Sequence, residues 1–341
     1  MLSKRSLRKV RRRGGLRGGV CNQIPNVEGN DVTSCVLNGS GLSLGMELGR
    51  GQQGIAYSIR QNDRQVIKST VLKTKKDADA WGRESCYSKE IGSLGVAPQI
   101  YNYFVCRGIG YIVMERLITI NNAYPGVRDK KIVYDENNEV DRNEDGSIAY
   151  DTTDHVALLP LEVQRGFVNA CAILLNNGFI HMDNHLDNVG FLANQKPILF
   201  DFGFTQKRDF SGPNDYEWAL AFSIFQFLEH APNDEIEETI FYQIINSIFN
   251  DSLEGPSNGI ASFATFDILR PLRSDREFPK RLKELKVIAC AASNDIQNAD
   301  IALGTMCYAI LVQMPREDRY ESKFLDVVYD IRTGNSPPME C

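Results

Sequence analysis

The sequence predicts an α+β chain in two parts, a β-rich first part and a helical second part. Three observations carry this. From about Leu42 to Leu117 the pattern is strand-like with one helical stretch. A polar, acidic interval follows over residues 118–155. From Leu158 onward apolar residues recur at helical spacing. The 341 residues can bury a large core, and two lobes are the natural division. No run of 18 apolar residues and no apolar N-terminal stretch occurs, which argues against a membrane span and a secretory leader. The eight cysteines are scattered and form no CxxC pair, so they read as thiols of a reducing compartment, with neither a disulfide framework nor a zinc site expected.

Residues 1–40 read as a basic, disordered arm, rich in Arg, Gly, Asn and Ser. Residues 1–20 hold eight of the 38 basic side chains and no acid, so the rest carries 30 basic against 44 acidic groups, a charge of −14. Such an arm fits weak, salt-sensitive contact with nucleic acid or another polyanion, and equally a solubilising or nuclear-import tail.

Residues 41–117 open with Gly49, Gly51 and Gly54, a G-x-G-x-x-G. Glycines let backbone approach phosphate closely. Dinucleotide folds share this spacing but follow it with a helix. Here Ile55–Ile59 and the turn Asn62-Asp63 announce a strand and hairpin instead. Val66-Ile67-Lys68 then places a lysine in an apolar strand, where it needs a partner; Lys73 is the competing candidate. A helix over Asp77–Leu94 offers Glu84 and Glu90 as that partner, with mid-helix Glu84 preferred. Tyr111–Leu117 is an apolar strand running into charge.

The acidic interval 118–155 reads as an inserted loop or hairpin. Within it Asp141, Asn143, Asp145, Gly146 and Ile148 match the start of an EF-hand loop. Position twelve is Thr152, where a bidentate Glu is required, so a solvated acidic turn is the preferred reading over calcium binding.

Residues 156–341 form the helical part. It contains His181, Asp183 and Asn188 as H-x-D-x-x-x-x-N, and Asp201-Phe202-Gly203, separated by a strand–turn–strand around Ala193–Pro197. The hairpin brings Asn188 and Asp201 together, and both offer hard oxygens suited to Mg²⁺.

On these residues the chain resembles the eukaryotic-type protein kinase superfamily over about residues 42–230. The resemblance implies a bilobal protein-kinase-like fold that binds ATP and Mg²⁺. Gly49, Gly51, Gly54 and Lys68 would hold the phosphates and Glu84 would pair with Lys68. Met114, Glu115 and Leu117 would line the adenine pocket and hinge. Asp183 would take the acceptor's proton, and Asn188 and Asp201 would hold the metal. His181 would be a scaffold residue, and Asp215 would brace the catalytic loop from a buried helix. Met182 stands where regulated kinases have Arg. His185 stands where protein kinases have Lys, near the transferred phosphate. Only 13 residues separate Asp201 from Asp215, and no A-P-E triplet occurs. These departures are similar to RIO-type and other atypical branches and to kinases of large DNA viruses. The implied function is an atypical serine/threonine protein kinase with a protein substrate. It would work in the cytoplasm or nucleus of an infected cell, or in the virion, without secretion or membrane contact. A small-molecule kinase of the aminoglycoside type and a pseudokinase scaffold are the alternatives.

Overall fold

The computed structural model describes residues 24–51, 54–134, 139–142, 149–253, 267–293, 295–337, 339 and 341. The fold is mixed α+β, with a five-stranded antiparallel sheet in the N-terminal part and a helical C-terminal part.

The first helix, α1 (Val32–Ser40), corrects the expectation of a disordered arm up to residue 40. Asp31 and Ser34 make a reciprocal capping box, and Gly41 ends the helix in the left-handed region. Cys35 and Val36 are buried, and Cys35 is disulfide-bonded to Cys106. A second disulfide joins Cys290 to Cys341, and Cys86 is disulfide-bonded as well. The reading of the cysteines as scattered free thiols is therefore wrong for these five. Cys171 and Cys307 are free and buried. Wide sequence separations, 71 and 51 residues, hid the pairing from a spacing argument. The basic residues of the arm lie outside the described residues.

Strands β1 (Leu44–Gly51), β2 (Gly54–Ile59), β3 (Gln65–Val71), β4 (Ile100–Cys106) and β5 (Ile109–Glu115) form the sheet in the order β1-β2-β3-β5-β4. One face closes on Val36, Ile59, Ile67, Phe104, Tyr111 and Val113. The other receives α2 (Lys75–Gly92), which starts at the Thr74–Asp77 capping box, two residues before the expected Asp77. Trp81, Glu84, Ser85, Ser88 and Ile91 form its buried face. Trp81 sits so close over Gly110 that a Cβ there would come within 2.3 Å of the ring, so only glycine fits.

Beyond β5, β6 (Ile118–Thr119) leaves the sheet and pairs instead with the helical part. The acidic interval contains an antiparallel hairpin, β7 (Arg128–Ile132) with β8 (Tyr150–Asp154). Residues 143–148 of the EF-hand-like segment lie outside the described residues.

The C-terminal core is built on α3 (Leu161–Asn176), α4 (Pro213–Phe225), α5 (Ile240–Leu253), α6 (Phe278–Ala292), α7 (Ala299–Leu311) and α8 (Lys323–Thr333). α7 reads ADIALGTMCYAIL, apolar almost all round, and nearly every residue is buried. Gly304 lets Phe222 of α4 approach, since a Cβ would stand 2.6 Å from the ring. Four short strands, β9 (Phe179–Ile180), β10 (Val189–Phe191), β11 (Pro197–Leu199) and β12 (Gln206–Lys207), lie between α3 and α4. β9 pairs with β12, and β10 pairs with both β11 and β6, so the loops beside them converge. Among the described residues, no helix is long and apolar enough to cross a membrane.

Candidate active site

The glycine segment spans the end of β1 and the start of β2, where Gly51 pairs with Gly54. Gly54 has φ +142°, and a Cβ on it would lie 2.2 Å from the Ser69 carbonyl oxygen, so glycine is obligatory there. Gly49 faces open space.

Strand register fixes what shares a face with Lys68. Ala56 and Ile112 lie opposite Lys68, and Met114 lies opposite Val66. Directly opposed residues point the same way, and so do alternate residues, so Met114 stands on the Lys68 side of the sheet. Lys68 Nζ donates to Glu84 Oε1 at 2.8 Å and to Asp201 Oδ1 at 2.8 Å. The competing Glu90 bonds Lys207 at 3.0 Å instead. Burial opposes a charged Lys68, yet the Glu84 and Asp201 carboxylates outweigh it and hold its pKa above the ordinary range. Burial likewise acts against an ionised Asp201, but Lys68 draws its pKa below the usual carboxylate value. Glu84 goes the other way: burial raises it, and Lys68 offsets only part of this.

Glu115 and Leu117 occupy the chain crossing between the two parts. Glu115 accepts from the Gln99 amide at 3.3 Å through its side chain, which commits it to β4's edge. Leu117 packs on Gly190, where an added Cβ would be 3.2 Å from it.

The segment after β9 carries the second cluster. His181 is 1% exposed and its Nε2 donates to the Phe200 carbonyl at 2.8 Å; burial lowers its pKa to about 4, so it is neutral. Its ring lies 4.8 Å from that of Phe202, consistent with a scaffold position. Met182 and Asp201 both adopt positive φ, 68° and 62°, which non-glycine residues seldom do; such outliers gather at functional sites.

Asp183 Oδ2 accepts from Asn188 Nδ2 at 2.8 Å and lies 3.3 Å from His185 Nε2. His185 Nδ1 accepts from the Asp187 amide at 3.2 Å, and its Nε2 stands 3.1 Å from Asn188 Nδ2. Burial lowers the His185 pKa. His185, expected near the transferred phosphate in the place of a lysine, lies beside Asn188 and Asp183. The Phe200 amide donates to the Asn188 carbonyl at 2.9 Å, which sets Asn188 beside the segment that carries Asp201.

Several contacts have no signal in the local sequence. Asn184, in the middle of the loop, donates its amide to Gln226 Oε1 at 2.8 Å and its Nδ2 to the Ser223 carbonyl at 3.3 Å. Asp215, expected to brace the loop, is buried in the first turn of α4; Ser223 lies near the other end of that helix and Gln226 just beyond it. Arg128 and Lys130 of the hairpin each stand 3.0 Å from Asp187. Burial pushes Asp154, beside Arg128, up to about 6. Arg332, in the last turn of α8, bonds Asp183 Oδ1 and the Met182 carbonyl. Nothing in the local sequence around Arg332 signals this, because 149 positions separate it from Asp183.

The geometry therefore unites Lys68, Glu84 and Asp201 in one cluster and Asp183, His185 and Asn188 in a second, joined through Phe200 and Asp201. A charged lysine on a sheet face beside a glycine turn can bind phosphate, and an ionised carboxylate beside an amide oxygen can bind a hard cation. Among the described residues, no group of three or more His, Cys, Asp and Glu side chains is placed to hold a metal by itself. No family model matches the chain, and no curated protein matches it.

Proposed function

We propose that the chain is an ATP-dependent phosphotransferase with a bilobal protein-kinase-like fold, acting on serine or threonine hydroxyls of proteins. The observation that carries the reading is Lys68 Nζ, bonded at 2.8 Å to both Glu84 and Asp201. A buried lysine between two carboxylates contributed by a helix and a distant loop is costly to build for stability alone. It is the arrangement a phosphate-binding lysine needs.

The donors fit the implied cofactor. Asn188 Nδ2 is committed to the Asp183 backbone and side chain, and its Oδ1 is a hard oxygen of the kind a cation takes. Lys68 engages Asp201 through Oδ1, leaving Oδ2 as a second hard oxygen. Two such ligands suit Mg²⁺, which takes its remaining ligands from phosphates and water. Bound magnesium would supply charge neutralisation on the nucleotide's phosphates. Gly49, Gly51 and Gly54 would cover those phosphates, and Met114 would line the base pocket. Asp183 would orient the acceptor hydroxyl and take its proton, held by Asn188 and Arg332. The rest is positioning, which is most of what phosphoryl transfer asks of a protein.

A small-molecule acceptor is the second reading. It is favoured by the 13 residues between Asp201 and Asp215, too few for a full peptide-docking segment. The test of nucleotide binding is calorimetric titration of Mg-ATP into the full chain and into Lys68→Met. Saturable binding by the former and weakened binding by the latter are expected. No binding at millimolar Mg-ATP would overturn the assignment.

A further inference from the structure

Asp183 is held from an unexpected direction. Arg332 donates through Nη2 to Asp183 Oδ1, through Nε to the Met182 carbonyl at 2.8 Å, and through Nη1 to Glu229 Oε2 at 3.1 Å. Glu229 Oε2 also accepts from Tyr308 of α7 at 3.2 Å. The guanidinium is thus spread over two carboxylates and a carbonyl whose residue, Met182, has positive φ. A planar fork can make these bonds together, whereas an ammonium cannot match their directions. The end of α8 is itself pinned, because Gln206 of β12 donates to the Ile331 and Arg332 carbonyls at 3.2 and 3.4 Å. Beyond α8, the chain is bonded to α6 through Cys290–Cys341.

We propose that Arg332 is a positioning residue for the transfer chemistry, acting through Asp183; this rests on the phosphotransferase reading above. Two features separate it from a plug over the site. Its side chain is largely buried, and all its described bonds lie within the helical part, so it belongs to that core. A carboxylate also offers about four acceptor directions. Asn188 and Arg332 take two on Asp183, with His185 3.3 Å from Oδ2, which leaves room for an acceptor hydroxyl. Arg332 fixes Oδ1, Asn188 fixes Oδ2, and the carboxylate plane is set by both. Burial lowers the Arg332 pKa to about 10, which still leaves it charged at neutral pH.

The test uses the full chain with Arg332→Met, Arg332→Ala and Arg332→Lys, measuring Mg-ATP affinity and turnover separately. For Arg332→Met, nucleotide affinity should stay within about twofold while kcat falls about 100-fold, in the range of a mispositioned general base. Arg332→Lys keeps a charge and reports even if the methionine variant fails to fold; it should recover part of kcat. Added guanidinium at millimolar concentration should raise the turnover of Arg332→Ala and leave Asp183→Ala unchanged. Unchanged kcat in the variants, or a rise, overturns the proposal while the phosphotransferase reading stands. A wild-type chain that neither binds nor turns over Mg-ATP removes both.

Discussion

Lys68 Nζ lies 2.8 Å from Asp201 Oδ1 although 133 positions of chain separate them, and the same ammonium bonds Glu84. All three side chains are mostly buried. Replacing Lys68 by Met leaves two carboxylates without their cation, which should destabilise the fold by about 3–5 kcal/mol. Denaturant unfolding of the purified variant measures it. A loss below about 1 kcal/mol, the scale of an exposed pair, would mean that the cluster is solvated.

Gly54→Ala is expected to lose about 1–3 kcal/mol from backbone strain, and more if Ser69 cannot move, since φ is +142° and the added methyl would meet a carbonyl at 2.2 Å. Gly49→Ala meets open space and should be nearly neutral for stability. Parallel melting curves of the two variants make the comparison. Equal losses would contradict the backbone geometry described at Gly54.

Acid sensitivity should trace in part to His181. Its folded pKa, about 4, lies below the ordinary value near 6.5. Above pH 6.5 both states are neutral there. Below it the unfolded chain takes a proton that the folded chain refuses, so stability is lost as pH falls toward 4, by a ceiling of about 3 kcal/mol. Asp154, raised to about 6, works oppositely: its contribution is present below its unfolded pKa and lost as pH rises through 6. Comparing wild type with His181→Asn cancels Asp154, and the stability gap between them should shift in the variant's favour from pH 7 to 4.5. Parallel curves would show that His181 does not titrate as described.

The two disulfides with described partners span 71 and 51 residues. Loop-closure entropy gives each a contribution of about 4 kcal/mol. Reductant should therefore lower the unfolding midpoint, and Cys35→Ser and Cys290→Ser should each reproduce part of the effect. A midpoint indifferent to reductant in wild type would mean that the cysteines are not paired in solution.

The sheet, α2 and the residues of the two clusters were legible because each follows from local pattern. Gly54 and the Asn62 turn marked a hairpin, Lys68 sat alone in an apolar strand, and Glu84 fell on the buried face of a capped helix. Contacts that depend on distant pairing leave no local pattern. α1 is only nine residues long, too short for periodicity, although Asp31, Ser34 and Gly41 did mark its two ends. Cys35 and Cys106, Asn184 and Gln226, and Asp183 and Arg332 meet only when the tertiary structure closes. His185 packs beside Asn188 and Asp183, contacts that its place in the motif does not specify.

The central claim meets its most direct test in transfer of the labelled terminal phosphate of ATP. The full chain is incubated with Mg²⁺ and either casein-like proteins or a panel of aminoglycosides, sugars and nucleosides, with Asp183→Ala in parallel. Label on protein from the wild type, lost in Asp183→Ala while that variant still binds Mg-ATP, is the expected result. Label on a small molecule alone would move the substrate class. No transfer to any acceptor by a chain that binds Mg-ATP would contradict the phosphotransferase assignment and leave a nucleotide-binding scaffold.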